Sequence, residues 1–257
     1  MSAHDETVRR EFTKQAKTFE DPTYSFADRR LMAWILEHVP PEPDGAVLDV
    51  AGGTGHLARA YAPTASIAVV LDLTTEMLAT GRREAEAASL RNLVYVLGDA
   101  ARMPFVDASF DLVVSRFAVH HFEEPARQIG EMVRVCRPGG RVAIVDLVAA
   151  EAALAGDADR LETMRDPSHT HALPVDRLKA LIEQAGATVV HETFHDQPLP
   201  VARWLAQAET PSTTGDEIRA ELDSELDGGR PTGMRPQVVD GELNLTHRYA
   251  IVVADVA

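Results

Sequence analysis

The chain of 257 residues is 45% hydrophobic and 25% charged, a balance that suits a globular protein with one substantial core. Its 40 acidic residues against 25 lysines and arginines leave a formal net charge of −15. With no Lys/Arg cluster to displace counterions from a phosphate backbone, no nucleic-acid partner and no membrane insertion are expected.

Cys136 is the single cysteine, so neither an intramolecular disulfide nor a cysteine zinc cluster is possible. The opening MSAHDETVRREF has no apolar signal region, and no stretch approaches the ~18 apolar residues of a membrane span. A cytoplasmic location is the expectation.

In chain order, Glu6 to Val39 is helical in pattern, broken at Asp21-Pro22 and resuming with Phe26, Arg30 and Trp34. A Pro-rich connector (40–45) leads to a strand at Ala46–Val50. Strands at Ile67–Leu71, Leu93–Leu97, Phe110–Ser115 and Val142–Leu147 follow, with helices over Thr74–Ala88 and Pro125–Val135 between them. Such alternation predicts a parallel, doubly wound α/β sheet, whose loops at Gly53, Asp72, Asp99 and Arg116 share one carboxyl edge. Beyond Val148 the pattern predicts helices at Ala150–Met164, Pro174–Ala185, Pro200–Glu209 and Gly215–Leu226, with strands at Thr188–His191 and Tyr249–Val253.

The organising stretch is VLDVAGGTGHLA, residues 47–58. A buried strand closes on glycines that permit positive φ and close approach of a ligand, and a helix opens with free N–H groups facing it. Gly53 to Ala58 also satisfies GxGxxA, with Asp72 at a distance suited to a ribose carboxylate. The loop alone therefore leaves NAD and S-adenosylmethionine (SAM) both open. Asp49 inside the strand end, and a second acidic turn at Gly98-Asp99-Ala100, favour SAM.

Together, VLDVAGGTGHLA, VVLDLTTEML, GDAARMPFVDASFDLVVSRFAVHHF and RVCRPGGRVAIVD resemble the class I SAM-dependent methyltransferases, nearest the ubiquinone/menaquinone-type group (methyltransferase domain 11-like). The likeness runs from about Phe12 to Leu147. RDPSH (165–169) resembles a subgroup of that family, and Leu199 to Asp240 matches no motif.

The resemblance implies a Rossmann-like, mostly parallel seven-stranded sheet with an antiparallel last strand. It also implies a single domain with a helical cap (1–44), a SAM-binding core (45–148) and a C-terminal half with acceptor-site insertions (149–257). Ala51, Gly53, Thr54 and Gly55 would face the methionine end of SAM, and Asp49 its ammonium. Asp72 would accept both ribose hydroxyls. Leu73 and Met77 would flank adenine, and Asp99 with Ala100 would read its edge. Ser115 and Arg116 would border the transferred methyl group.

Methyl transfer from a sulfonium needs alignment above all, and a base only where the acceptor atom loses a proton. His120 and His121, just after the fourth strand, are the candidate bases; the alternative is that one packs and the other caps. His169 and His171 sit on a lid loop. No third ligand joins His120 and His121 at metal-binding spacing, so no metal is expected. Phe12, Phe19 and Tyr24 read either as an aromatic lid or, for the first two, as core packing.

The reading is therefore a methyltransferase that forms S-adenosylhomocysteine (SAH). Its acceptor is a carbon or oxygen of a small molecule such as a phenol, quinol or natural-product intermediate, and the protein is a monomer or homodimer. The alternatives are a SAM-binding protein without methyl transfer and an NAD(P)-linked oxidoreductase.

Overall fold

Strand and helix signals alternate along residues 46–147, and the chain winds them around one sheet. The computed structural model describes residues 2–21 and 28–257. Strands β1 (Ala46–Val50), β2 (Ile67–Asp72), β3 (Leu93–Leu97), β4 (Phe110–Arg116) and β5 (Cys136–Leu147) are parallel neighbours in the order β3-β2-β1-β4-β5. The later strands are β6 (Ala187–Pro200), β7 (Gln237–Val239) and β8 (Glu242–Val256). β8 lies antiparallel beside β5, β6 lies beyond it, and β7 also pairs with β8.

The helices are α1 (Ala3–Gln15), α2 (Arg29–His38), α3 (His56–Tyr61), α4 (Thr75–Ala87), α5 (Pro125–Val135), α6 (Ala155–Arg165), α7 (Val175–Gln184), α8 (Val201–Gln207) and α9 (Ser212–Leu226). The period-2 rule of a strand sends neighbouring side chains to opposite faces. Leu48, Val50, Val113 and Ile144 accordingly face one layer with Ile129 and Met132 of α5 and Leu181 of α7. Val47, Val70, Val114 and Val145 face the other, with Ile35 of α2, Leu57 and Tyr61 of α3 and Leu78 of α4. A third cluster, of Leu161, Trp204, Leu205, Ile218 and Leu222, joins α6, α8 and α9 to Leu199 of β6 and Leu245 of β8.

Three expectations change. Among the described residues the sheet has an eighth strand beside the seven expected: a turn through Asp240 and Gly241, both at positive φ, folds the short β7 onto β8. Val238 and Val239 are exposed, so β7 carries no inward apolar alternation to announce it. β6 and β8 pair from Ala187↔Val256 to Pro200↔Asn244, far beyond the short strands expected. β6 tolerates polar residues and Pro198 because it forms the sheet edge. Finally, α9 begins at Ser212, behind Pro211, three residues earlier than its apolar pattern. Tyr24 and Phe26 lie outside the described residues.

Among the described residues, no helix is long and apolar enough to cross a membrane. Cys136 is 2% exposed, and burial pushes its thiol up to about 11, as expected of an inert core residue.

Candidate active site

The strand order reverses direction between β1 and β4, the place where an open α/β sheet leaves a crevice at its carboxyl edge. A cavity of about 490 Å³ occupies that edge, a size typical of small-molecule sites. Asp49, Ala51, Gly53, Asp72, Leu73, Asp99, Ala100, Arg116 and His121 all line it. Residues spread over 73 positions of sequence thus meet in one space.

Asp49 is 1% exposed at the end of β1. Its Oδ2 accepts from the Ala58 N–H at 3.1 Å, while Oδ1 meets no donor among the described residues. Burial pushes the carboxyl up to about 7 against the opposing pull of the Ala58 hydrogen bond and Arg116. A buried carboxylate oxygen without a donor suits a cationic group, and the ammonium of an amino acid meets that description.

Asp72, at the end of β2, braces the loop it faces. Its Oδ2 accepts from Gly53 N–H and its Oδ1 from Thr74 N–H, both at 2.8 Å. Burial raises this carboxyl above its ordinary value although the two N–H groups oppose the shift. Gly53 stands at φ +58°, where a side chain is strained, and a Cβ there would meet the Phe19 ring at 3.4 Å. Asp99 Oδ1 accepts from Ala101 N–H at 2.7 Å and so shapes the turn after β3.

Five of the residues named from sequence stand behind this lining. Thr54 and Met77 are wholly buried, and the Thr54 carbonyl accepts from Arg59 and Tyr95. Gly55 is the N-cap of α3. Ser115 gives its hydroxyl to the Val50 carbonyl at 3.0 Å, joining β4 to β1. His120 turns to Asp146 at the end of β5, whose Oδ2 also accepts from Ala118 and Val119 N–H at 3.1 and 2.6 Å. Burial works against His120, but the carboxylate outweighs it and raises the imidazole above its ordinary value.

His121 faces the cavity between two elements. Its ring meets Phe12 of α1 edge-on at 5.0 Å, and its carbonyl accepts from His4 Nε2 at 2.8 Å. Burial, reinforced by the charge of His120, holds it down at about 3, so it is neutral near neutral pH. Phe12 and Phe19 both line the cavity, as a lid would. His169 is 5% exposed and bonded to Asp159, whereas the side chain of His171 is 72% exposed.

The sequence reading missed Ser2, His4, Asp5 and Val8 of the α1 segment, and also His56. The first four carry no motif. His56 lay in view inside the glycine stretch; its Nε2 donates to the Phe19 carbonyl at 3.2 Å, and burial lowers it to about 4.

This sheet order, with an acidic residue next to last in β1, another ending β2 and a third just after β3, defines a Rossmann-like nucleotide-cofactor fold. Comparisons with known proteins specify it. A model described as a methyltransferase domain matches residues 48–144. YafE of Escherichia coli is 31% identical over 159 residues, covering 62% of this chain and 77% of YafE. The uncharacterised methyltransferase YcgJ of Bacillus subtilis is 27% identical over 222 residues, covering 86% and 87%. The solved YcgJ structure superposes with a TM-score of 0.81 at 23% identity, over 88% of this chain and 98% of that one.

UbiE of Dinoroseobacter shibae, a ubiquinone/menaquinone biosynthesis C-methyltransferase, is 40% identical over 116 residues, which are 44% of this chain and 46% of UbiE. The chain belongs to the class I SAM-dependent methyltransferases. That membership decides between the two nucleotides the glycine loop left open: the cofactor is SAM.

Proposed function

We propose that the protein transfers the methyl group of SAM to a carbon or oxygen atom of a small acceptor such as a phenol, a quinol or a natural-product intermediate. The observation that carries this reading is the sharing of one cavity by Asp49, Asp72, Asp99 and His121. In it, Asp49 holds the ammonium of SAM, Asp72 accepts from its ribose hydroxyls, and Leu73, Asp99 and Ala100 hold adenine. Bound there, SAM supplies an electrophilic methyl carbon.

Arg116, half-buried, borders the transfer position; burial lowers its guanidinium only to about 10, so it stays cationic. His121 lies on the acceptor side. Thr54, Gly55 and Met77 support the glycine loop from behind, and Ser115 and His120 brace the ends of β4 and β5. On this reading residues 45–148 carry the cofactor, and the C-terminal half supplies loop 166–172 beside His121. The likeness to UbiE over the shared half supports an acceptor of phenol or quinol type.

Calorimetric titration with SAM, SAH and NADH tests the cofactor: SAM and SAH bind and NADH does not. SAH release is then measured across phenols, quinols, amines and thiols. Turnover confined to amines or thiols sinks the acceptor class.

A further inference from the structure

Loop 166–171 reads Asp-Pro-Ser-His-Thr-His, and its polar atoms are committed to a defined task. Asp166 is 3% exposed and Ser168 wholly buried. Asp166 Oδ1 accepts from the Ser168 N–H at 2.9 Å and from the Ser168 hydroxyl at 2.5 Å, and Oδ2 accepts from Gln15 Nε2 of α1 at 3.2 Å. The resulting turn sets the Ser168 carbonyl 2.9 Å from His121 Nδ1, with the Ser168 hydroxyl oxygen 3.1 Å from the same nitrogen.

A carbonyl can only accept, so Nδ1 must carry the hydrogen. The Ser168 hydroxyl proton is already given to Asp166, so its oxygen faces Nδ1 as a second acceptor. A neutral imidazole protonated at Nδ1 keeps its lone pair on Nε2. Loop and turn are tied together further: Thr170 donates from its N–H and its hydroxyl to the His120 carbonyl, each at 2.8 Å.

We propose that Asp166 and Ser168 are positioning residues that hold His121 in its Nδ1–H form, so that Nε2 receives the proton of an acceptor hydroxyl as that oxygen is methylated. The proposal rests on the acceptor-side reading of His121. The oxygen forms its bond to the methyl carbon while the carbon–sulfur bond breaks, its electron pair remaining on sulfur. The O–H electron pair stays on oxygen, and the proton passes to Nε2 and later to water.

A ring held neutral by burial and by His120 takes a proton from an oxygen that methylation has made strongly acidic, not from a hydroxyl at rest. The acceptor class is then a hydroxyl compound, such as a phenol or an enol.

The test uses the full chain with ¹⁵N-labelled histidine, comparing imidazole nitrogen shifts at neutral pH with and without SAH. Wild-type His121 should show a protonated Nδ1 and a bare Nε2. Asp166→Ala should loosen the turn and populate the second tautomer, while Asp166→Asn, whose Oδ1 can accept the same two bonds, should retain the first. If Asp166→Ala does not fold, Ser168→Ala makes the comparison by deleting the hydroxyl acceptor, and a raised Nε2–H fraction is again expected. An Nε2–H ring in the wild type, or an unchanged tautomer in the variant that folds, overturns this proposal alone.

With a phenol or quinol that the enzyme methylates on oxygen, Asp166→Ala should lower kcat about tenfold, short of the ~10²–10⁴ that loss of the general base itself would cost. SAH affinity should be unchanged, and Asp166→Asn should recover most of the rate. Methylation confined to amines or thiols overturns the acceptor reading and the proton transfer together.

Discussion

At the residue scale, the two carboxylates at the carboxyl ends of β1 and β2, Asp49 one residue short of the end and Asp72 at it, respond differently to loss. Asp72 braces Gly53 and Thr74, lines the cavity and, on the proposed reading, accepts from the ribose hydroxyls. Asp72→Ala should weaken SAM binding by at least an order of magnitude, since hydrogen bonds to charged groups contribute about 1.5–3 kcal/mol. Calorimetry checks this, and an unchanged Kd removes Asp72 from the site.

Asp49 has a folded-state value raised from 3.8 to about 7 by burial. Its contribution to folding is therefore fully present below the unfolded value and is lost as pH rises toward 7. Asp49→Asn carries no such loss. Without cofactor it should melt higher than wild type, by about 2–4 °C for each kcal/mol relieved, with the gap widening from pH 5 to 7. The same variant should bind SAH more weakly, and its disadvantage relative to wild type should grow about tenfold from pH 6 to 8 as the wild-type carboxylate ionises. A ratio that stays flat across that range would show that Asp49 does not meet the ammonium.

At the scale of elements, the site depends on how closely α4 seats against the glycine loop. A Cβ on Gly81 of α4 would stand 2.3 Å from the Thr54 carbonyl and 2.5 Å from the Tyr95 ring. Both neighbours are hydrogen-bonded in place, the Tyr95 hydroxyl donating to the Thr54 and Gly81 carbonyls. Gly81→Ala should thus lower the Tm despite the better helix propensity of alanine, and should weaken SAM binding by displacing the loop. A stabilised variant with unchanged affinity would mean that α4 shifts without disturbing the site. This glycine was invisible to sequence reasoning, because inside TEMLATGRREAEA it looks like a mild helix defect. Helices α5 and α7 were legible because Pro125 and Pro174 mark their starts and their apolar residues recur at helical spacing. The strand β7 was not, because its side chains face solvent.

At the scale of the whole molecule, cofactor binding and folding are linked. A ligand that binds the native state alone adds about 2.7 kcal/mol of stability at a hundredfold excess over Kd. SAM and SAH should raise the melting temperature by several degrees and NADH should leave it unmoved. A shift with NADH would contradict the family assignment.

What the sequence by itself determined is one side of the cavity: the glycine turn, the carboxylates near strand ends and the order of strands and helices. These are local. A strand end, its turn and the next helix start lie within a dozen residues, and the right-handed crossover carries each to the same edge. Only the tertiary structure decided what surrounds His121. Phe12 of α1, Asp146 of β5 and Ser168 of the later loop reach that corner from three separate parts of the chain. Which of two adjacent histidines turns inward depends on the acceptors those parts present: Asp146 draws His120 away, and the Ser168 carbonyl orients His121. Such long-range pairings leave no periodicity in the sequence, and the packing of the sheet alone brings them together.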